Sequence, residues 1–215
     1  PASATSKHGC ILLVMSSVVR QPRRGEPIQS AKVLERRSRI YADLLAASAS
    51  LFAERGMEAV SVEDIIAEVG ISRRTFYGFF ANKYAIIGDL LDPIFNAGIA
   101  RLNILLAGNP RDILPGVVDF YFEQWCTNRA ALELINSLEP PAFAYIESGH
   151  RGFGGSLRKA LAVCEAAGFL RNGSAEYSFR LISRTAIPLL KVYRDHPDAE
   201  CLYRDAMLSL LASSS

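Results

Sequence analysis

From Ser30 onward, apolar residues recur at the spacing of a helix that lays one face on a core: Ile40, Leu44, Ala47 and Leu51 follow at intervals of four, three and four. Gly56 closes this run, because glycine enters the left-handed conformation that ends helices at little steric cost. Ser61 then precedes Val62-Glu63-Asp64 and the apolar set Val62, Ile65, Ile66 and Val69. A serine hydroxyl accepts from the amide three residues on, and an acidic side chain at that position reaches back. Ser61 and Asp64 therefore predict a capped helix ending at Gly70. Ser72 caps a third helix predicted over Arg73 to Phe80, and Asn82 a fourth.

Beyond Lys83 the pattern remains helical and the elements lengthen. Turns are marked by Gly108-Asn109-Pro110, Pro140-Pro141, Gly149 to Gly155, Asn172-Gly173 and His196-Pro197. Ala175 to Val192 and Glu200 to Leu211 read as the last two helices. No apolar–polar alternation at period two occurs, so the fold class is all-α. Gly152-Phe153-Gly154-Gly155 reads as an interhelical loop, since no strand precedes it and its spacing fits neither nucleotide-binding fingerprint. Asp92-Pro93 interrupts a pattern in which Ile86, Leu90, Ile94 and Ile99 share a face. A kink between Tyr84 and Asp92 is expected there, or else a joint between two helices.

Half of the 215 residues are hydrophobic and 21% are charged, a globular composition for most of the length. Net charge is only +2, but residues 1 to 39 hold eight Lys or Arg against two acids, a local +6 that leaves −4 for the remainder. Residues 1–29 read as a flexible basic arm, of which 1–14 carry no fold signal and precede the first methionine, Met15. Residues 30–83 read as a three-helix domain and 84–215 as a larger helical domain. Cys10, Cys126, Cys164 and Cys201 are dispersed, with neither CxxC pairing nor a His-rich partner, so no metal site and no cofactor are expected. No segment reaches the roughly 18 uninterrupted apolar residues of a spanning helix, which predicts a cytoplasmic chain without a membrane partner.

A helix-turn-helix needs a supporting helix, a tight turn and a second helix whose outer residues reach the major groove while its inner residues lock it in place. Ile65, Ile66 and Val69 supply the first inner face, Gly70 the turn and Ile71 a plug, and Phe76 and Phe80 anchor the second helix. Arg73, Arg74, Tyr77 and Gly78 then fall on the open side. The blocks Phe52-Ala53-Glu54-Arg55-Gly56, Ser61-Val62-Glu63-Asp64-Ile65, Gly70 to Tyr77 and Phe80-Ala81-Asn82-Lys83 resemble, in order and spacing, the DNA-binding domain of the TetR family of transcriptional regulators. The resemblance covers residues 40 to 88. It implies that Arg73, Arg74, Thr75 and Tyr77 meet the groove or its flanking phosphates, that Lys83 holds a phosphate, and that Ser61 and Ser72 present helix N-termini to the backbone. Phe79 departs from the Tyr or His that the family often places there, and Gly78 removes a side chain from the reading surface. Arg36, Arg37 and Arg39, with Arg23 and Arg24, add candidate phosphate or minor-groove contacts.

A single three-helix reader makes few base contacts, and such proteins dimerise to engage half-sites about 34 to 36 Å apart. The resemblance implies a homodimer on an inverted-repeat, double-stranded operator, built on the last two helices. Candidate interface residues are Phe179, Ile182, Ala186 and Leu189 on one stripe and Leu202, Ala206 and Leu210 on another. It also implies a repressor released by a small, largely apolar effector. Phe95, Ile99, Tyr121, Trp125 and Phe143 are candidates for the pocket wall, because Trp and Tyr combine apolar area with a polar tip. The alternative is an architectural DNA-binding protein with the same reader and no sensing cavity. An enzyme is not expected, since the three histidines, His8, His150 and His196, belong to no nucleophile, metal or cofactor motif.

Overall fold

Gly56 and Gly70, the two glycines expected to stop helices, both take left-handed backbone angles, with φ of 79° and 70°. In this computed structural model, which describes residues 31–135 and 138–213, they end α1 (Ala31–Arg55) and α2 (Val62–Val69). The short α3 (Arg73–Tyr77) follows, then α4 (Ala85–Ala107), α5 (Ile113–Ile135), α6 (Glu147–Ala166), α7 (Ala175–Tyr193) and α8 (Ala199–Leu211). 3₁₀ turns at Pro110–Asp112 and Ala142–Tyr145 flank α5. Among the described residues the one β interaction is an isolated antiparallel bridge between Leu170 and Ala212. The expected basic arm, residues 1–29, lies outside the described residues.

Of the three predicted caps in the N-terminal half, Ser61 and Ser72 cap their helices, while Asn82 stands two residues before Tyr84, which flanks the start of α4. Ser61 accepts from the Asp64 amide at 3.1 Å while the Asp64 carboxylate accepts from the Ser61 amide at 2.8 Å, satisfying two otherwise orphaned donors reciprocally. Ser72 accepts from the Thr75 amide, and Asn82 from the amides of Tyr84 and Ala85. α3 ends at Tyr77, three residues earlier than the pattern suggests, with Gly78 and Phe79 in a tight turn. The inner face of α1 is Leu44, Ser48, Leu51 and Phe52, whereas Ile40 and Ala47 sit at its edge.

α4 belongs to both halves. It packs on α1 towards the reader and on α5 and α6 in the larger half, within one core cluster running from Leu44 to Leu211. It is long and apolar enough to pass for a membrane span by length and composition alone, but Ile86, Leu91, Phe95 and Leu102 are buried inside the protein. Pro93 lies within α4, which continues through it as one helix, so the expected alternative of a joint between two helices does not occur. The interruption falls instead in α5, where Asn128 leaves helical geometry (φ −127°, ψ 32°) and donates to Gln124 Oε1 at 2.9 Å.

The glycines at 149 to 155, expected to form a loop, lie inside α6. Their role is proximity. A Cβ on Gly149 would stand 2.8 Å from Asp92 Oδ1 and 2.9 Å from Phe95 Cδ2, and one on Gly98 of α4 would stand 2.5 Å from the Phe153 ring. Missing side chains therefore let α4 and α6 approach closely enough for aromatic rings to fill the seam, and this close packing outweighs the cost of glycine in a helix, about 1 kcal/mol per residue. Gly98→Ala should destabilise the fold by about 1–3 kcal/mol, because the Phe153 ring is hemmed in by Phe95, Phe120 and Tyr121 and cannot yield freely. Urea denaturation of the two chains measures it.

Candidate nucleic-acid interface and effector cavity

Five residues cannot hold a helix unaided, so α3 depends on what lies beneath it. Phe76 is fully buried, and its ring meets Phe80 at 6.1 Å and the edge of Tyr77 at 5.4 Å. Tyr41 of α1 stacks on Phe80 at 5.8 Å and donates to Asp89 of α4 at 2.8 Å, tying α1, the reader and α4 at one point. Burial first, and the Asp89 carboxylate second, push the Tyr41 phenol well above its ordinary value and keep it protonated as a donor.

On the opposite side Arg73, Arg74 and Gly78 are exposed, and Tyr77 is 52% exposed. Arg73 pairs with Glu63 of α2, a surface contact that contributes little and leaves the guanidinium available for exchange. Arg74 and Arg36 reach into solvent. Arg37 donates to Gly78 O at 3.3 Å, with its guanidinium 4.8 Å from the centre of the Phe79 ring. Phe79 thus serves as a platform that brings an arginine of α1 beside the end of the reader. Arg39 pairs with Glu35 at 3.7 Å within its own helix. Thr75 is half-buried and its hydroxyl is shared with Ser72 at 2.8 Å, while the Ser61 hydroxyl is held by Asp64 at 2.5 Å. Among the expected contact residues the serine and threonine hydroxyls are therefore spent on caps, and the open donors are Arg73, Arg74, Tyr77 and the arginines of α1.

Lys83 is placed otherwise than expected. Its side chain is 15% exposed, and its ammonium lies 2.8, 3.2 and 3.0 Å from the carbonyls of Met57, Glu58 and Val60. An ammonium has three protons, and all three are engaged, so a phosphate contact does not fit this geometry. Lys83 instead fastens the α1–α2 turn to the start of α4.

In the larger half, a cavity of about 140 Å³ opens between α4, α5, α6 and α7. Phe95 and Tyr121, both expected, line it with Phe120, Gln124, His150 and Phe153. Ile99, Trp125 and Phe143 do not. Ile99 faces Gly152 on the α4–α6 seam, Trp125 is buried with Arg129 over its ring, and Phe143 stands edge-on behind His150 at 5.4 Å. His150 escapes a sequence reading because the surrounding glycines disguise its helix. Burial chiefly, with Arg158 nearby, holds its imidazole below the ordinary value of 6.5.

The stripe expected at a dimer interface needs correction. Phe179 and Ile182 line the cavity, and Ile182 and Ala186 are each 1% exposed within a single chain, so they cannot meet a second copy. They form the inward face of α7, whose outward side carries Tyr177, Pro188 and Val192. On α8 the buried stripe is Tyr203, Met207 and Leu211, leaving Leu202 and Ala206 half-buried and Leu210 exposed; Leu189 is half-buried.

Two outcomes follow from these contacts. Lys83→Met should cost about 1–3 kcal/mol in urea denaturation, since it removes a charged donor from three carbonyls, two of them in part-buried bonds. Ser61→Ala should raise the Asp64 pKa, which hydrogen bonds from Ser61 hold below the ordinary carboxylate value, as followed by carboxyl NMR. The stabilisation linked to that depressed value is present above the unfolded pKa and is lost as pH falls through the folded one, so the two chains should converge in acid.

Residues 44–90 match the model of the family described as bacterial regulatory proteins, tetR family. The chain is 39% identical over 69 residues to the HTH-type transcriptional regulator EthR of Mycobacterium tuberculosis, a match covering 32% of each chain. It is 29% identical over 116 residues to the HTH-type transcriptional repressor KstR2 of the same organism, covering 51% of this chain and 58% of that one. The matches thus span about a third and somewhat over half of the lengths of these curated relatives. The solved structure of the ketosteroid transcriptional regulator KstR2 superposes with a TM-score of 0.67 at 24% identity, over 83% of this chain and 96% of that one, and so shares its fold. The N-terminal reader, residues 44–90, thus matches the tetR family model, and the chain shares the all-α fold of the superposed regulator.

Proposed function

We propose that this chain is a cytoplasmic transcriptional repressor that binds an inverted-repeat operator as a homodimer and leaves it when a small, largely apolar effector enters the α4–α7 cavity. In this reading residues 30–83 bind DNA, and residues 84–215 dimerise and sense. One observation carries the DNA-binding part: α3 is locked from below by Phe76 and Phe80 and turns Arg73, Arg74 and Tyr77 outward beside Arg37. Guanidinium groups and a phenol can address guanine edges and phosphates from that face. The similarity to proteins named as a regulator and a repressor supports the same reading.

The cavity favours a ligand-responsive protein over a purely architectural one, whose larger half would have no reason to keep an unfilled space between aromatic walls. For the dimer, the outward faces of α7 and α8 support a four-helix contact through Pro188 and Val192 with Leu202, Ala206 and Leu210. Val192 at 73% exposure is the most solvent-exposed large apolar residue among those described.

Selection of DNA from a random pool should yield an inverted repeat, and light scattering should give a dimer. A monomer on an asymmetric site would refute the proposal. Tyr77→Ala and Arg74→Ala should weaken binding to the selected site, and Val192→Asp should shift the chain towards monomer. Joint replacement of Arg36 and Arg37 by alanine should flatten the dependence of affinity on salt by about 0.9 in log–log slope for each phosphate that is no longer neutralised. An unchanged slope in band-shift titrations would remove those arginines from the interface.

A further inference from the structure

We infer that the effector is a neutral molecule of single-ring size bearing one hydrogen-bond-accepting oxygen, which the Tyr121 hydroxyl holds; this rests on the ligand-responsive reading above. Size is the first constraint. The cavity of about 140 Å³ is close to the roughly 150 Å³ apolar cavity that accommodates benzene, and a fused-ring or long-chain compound does not fit inside it.

The walls give the second constraint. The Phe153 ring meets those of Phe95 and Phe120 with centroids 6.3 and 6.1 Å apart, offering tilted ring faces and edges to an aromatic guest. Beyond the break at Asn128, Leu132 and Ile135 add aliphatic cover from the second half of α5.

Polar groups supply the third. Tyr121 is on the cavity wall; burial alone, with no hydrogen bond, acts on its phenol, and the neighbouring Tyr203 hydroxyl is itself buried without a partner among the described residues. Burial raises the Tyr121 pKa well above the ordinary phenol value, so at neutral pH it remains a donor in search of an acceptor. The Gln124 carbonyl oxygen is already taken by Asn128. Among the described residues no Lys, Arg, Asp or Glu lines the cavity. Arg158, whose guanidinium lies 3.5 Å above the Phe179 ring, is turned to Glu176 at 3.1 Å, which it shares with Arg180, and is not itself among the residues lining the cavity. His150 is held in its uncharged form at neutral pH. A carboxylate or an amine entering this space would lose its hydration without gaining a counter-charge.

The test uses the full chain, first without DNA, titrated calorimetrically with benzyl alcohol, toluene, benzoate and a four-ring steroid ketone. Benzyl alcohol should bind about tenfold tighter than toluene, the fold-change of one net hydrogen bond, while benzoate and the steroid ketone give no saturable heat. Tyr121→Phe keeps the ring and removes the donor, so with an unchanged Tm it should bind both small probes equally. Equal affinity for the two in the parent chain, an intact preference in Tyr121→Phe, or tighter binding of benzoate or the steroid ketone would each overturn the inference. Repeating the titrations on operator-bound protein separates the two readings. If benzyl alcohol binds through Tyr121 but leaves DNA affinity unchanged, the release mechanism fails and the ligand class stands. If the steroid ketone releases the DNA, the ligand class fails and the regulator stands.

Discussion

A five-residue helix cannot exist by itself: isolated helices shorter than about 12 residues are marginal in water, because nucleation fixes several dihedrals for one hydrogen bond. α3 is such a helix, and the N-terminal half supplies from outside what it lacks within. Ser72 fixes its first turn, Phe76 and Phe80 pin its underside, and Arg37 holds the carbonyl of Gly78 at its end. The exposed side is thereby freed from structural duty. Arg74 and Tyr77 contribute little to holding the helix, so their chemistry can be spent on another molecule.

The two halves of the chain differ in how much of this can be read from sequence. In the reader, local rules and tertiary packing agree. Serines stand where caps are needed, glycines where φ turns positive, and phenylalanines four residues apart where an inner face is needed. Lys83 is the exception, since a lysine at a helix start looks the same whether it faces a phosphate or three carbonyls. Only the folded position of Met57, Glu58 and Val60 decides the matter.

In the larger half the same rules mislead, because non-local packing overrides them. Glycine usually punctuates, but Gly149 of α6 lets Asp92 and Phe95 press against the helix backbone, a reason no local pattern reveals. Proline usually breaks, yet Pro93 and Pro188 both sit within helices while the true break is at Asn128, in a stretch with no breaker residue. Two apolar stripes also run side by side on α7 and α8. Sequence periodicity counts them equally, and only burial shows that Ile182 and Ala186 face the interior. The cavity is half legible, Phe95 and Tyr121 being found and Trp125 proving to be core, since aromatic density marks large side chains and does not tell wall from filling.

The Lys83 ammonium reaches back from the threshold of α4 to the turn after α1, and Tyr41 reaches forward from α1 to Asp89. The covalent border between the N-terminal half and the larger half is therefore not a mechanical border. A chimera spliced at residue 83 would part Tyr41 from its acceptor on α4. For modular exchange the natural unit extends through the first turns of α4, and recombination that respects the packing would carry Ile86, Ile87 and Asp89 along with the reader.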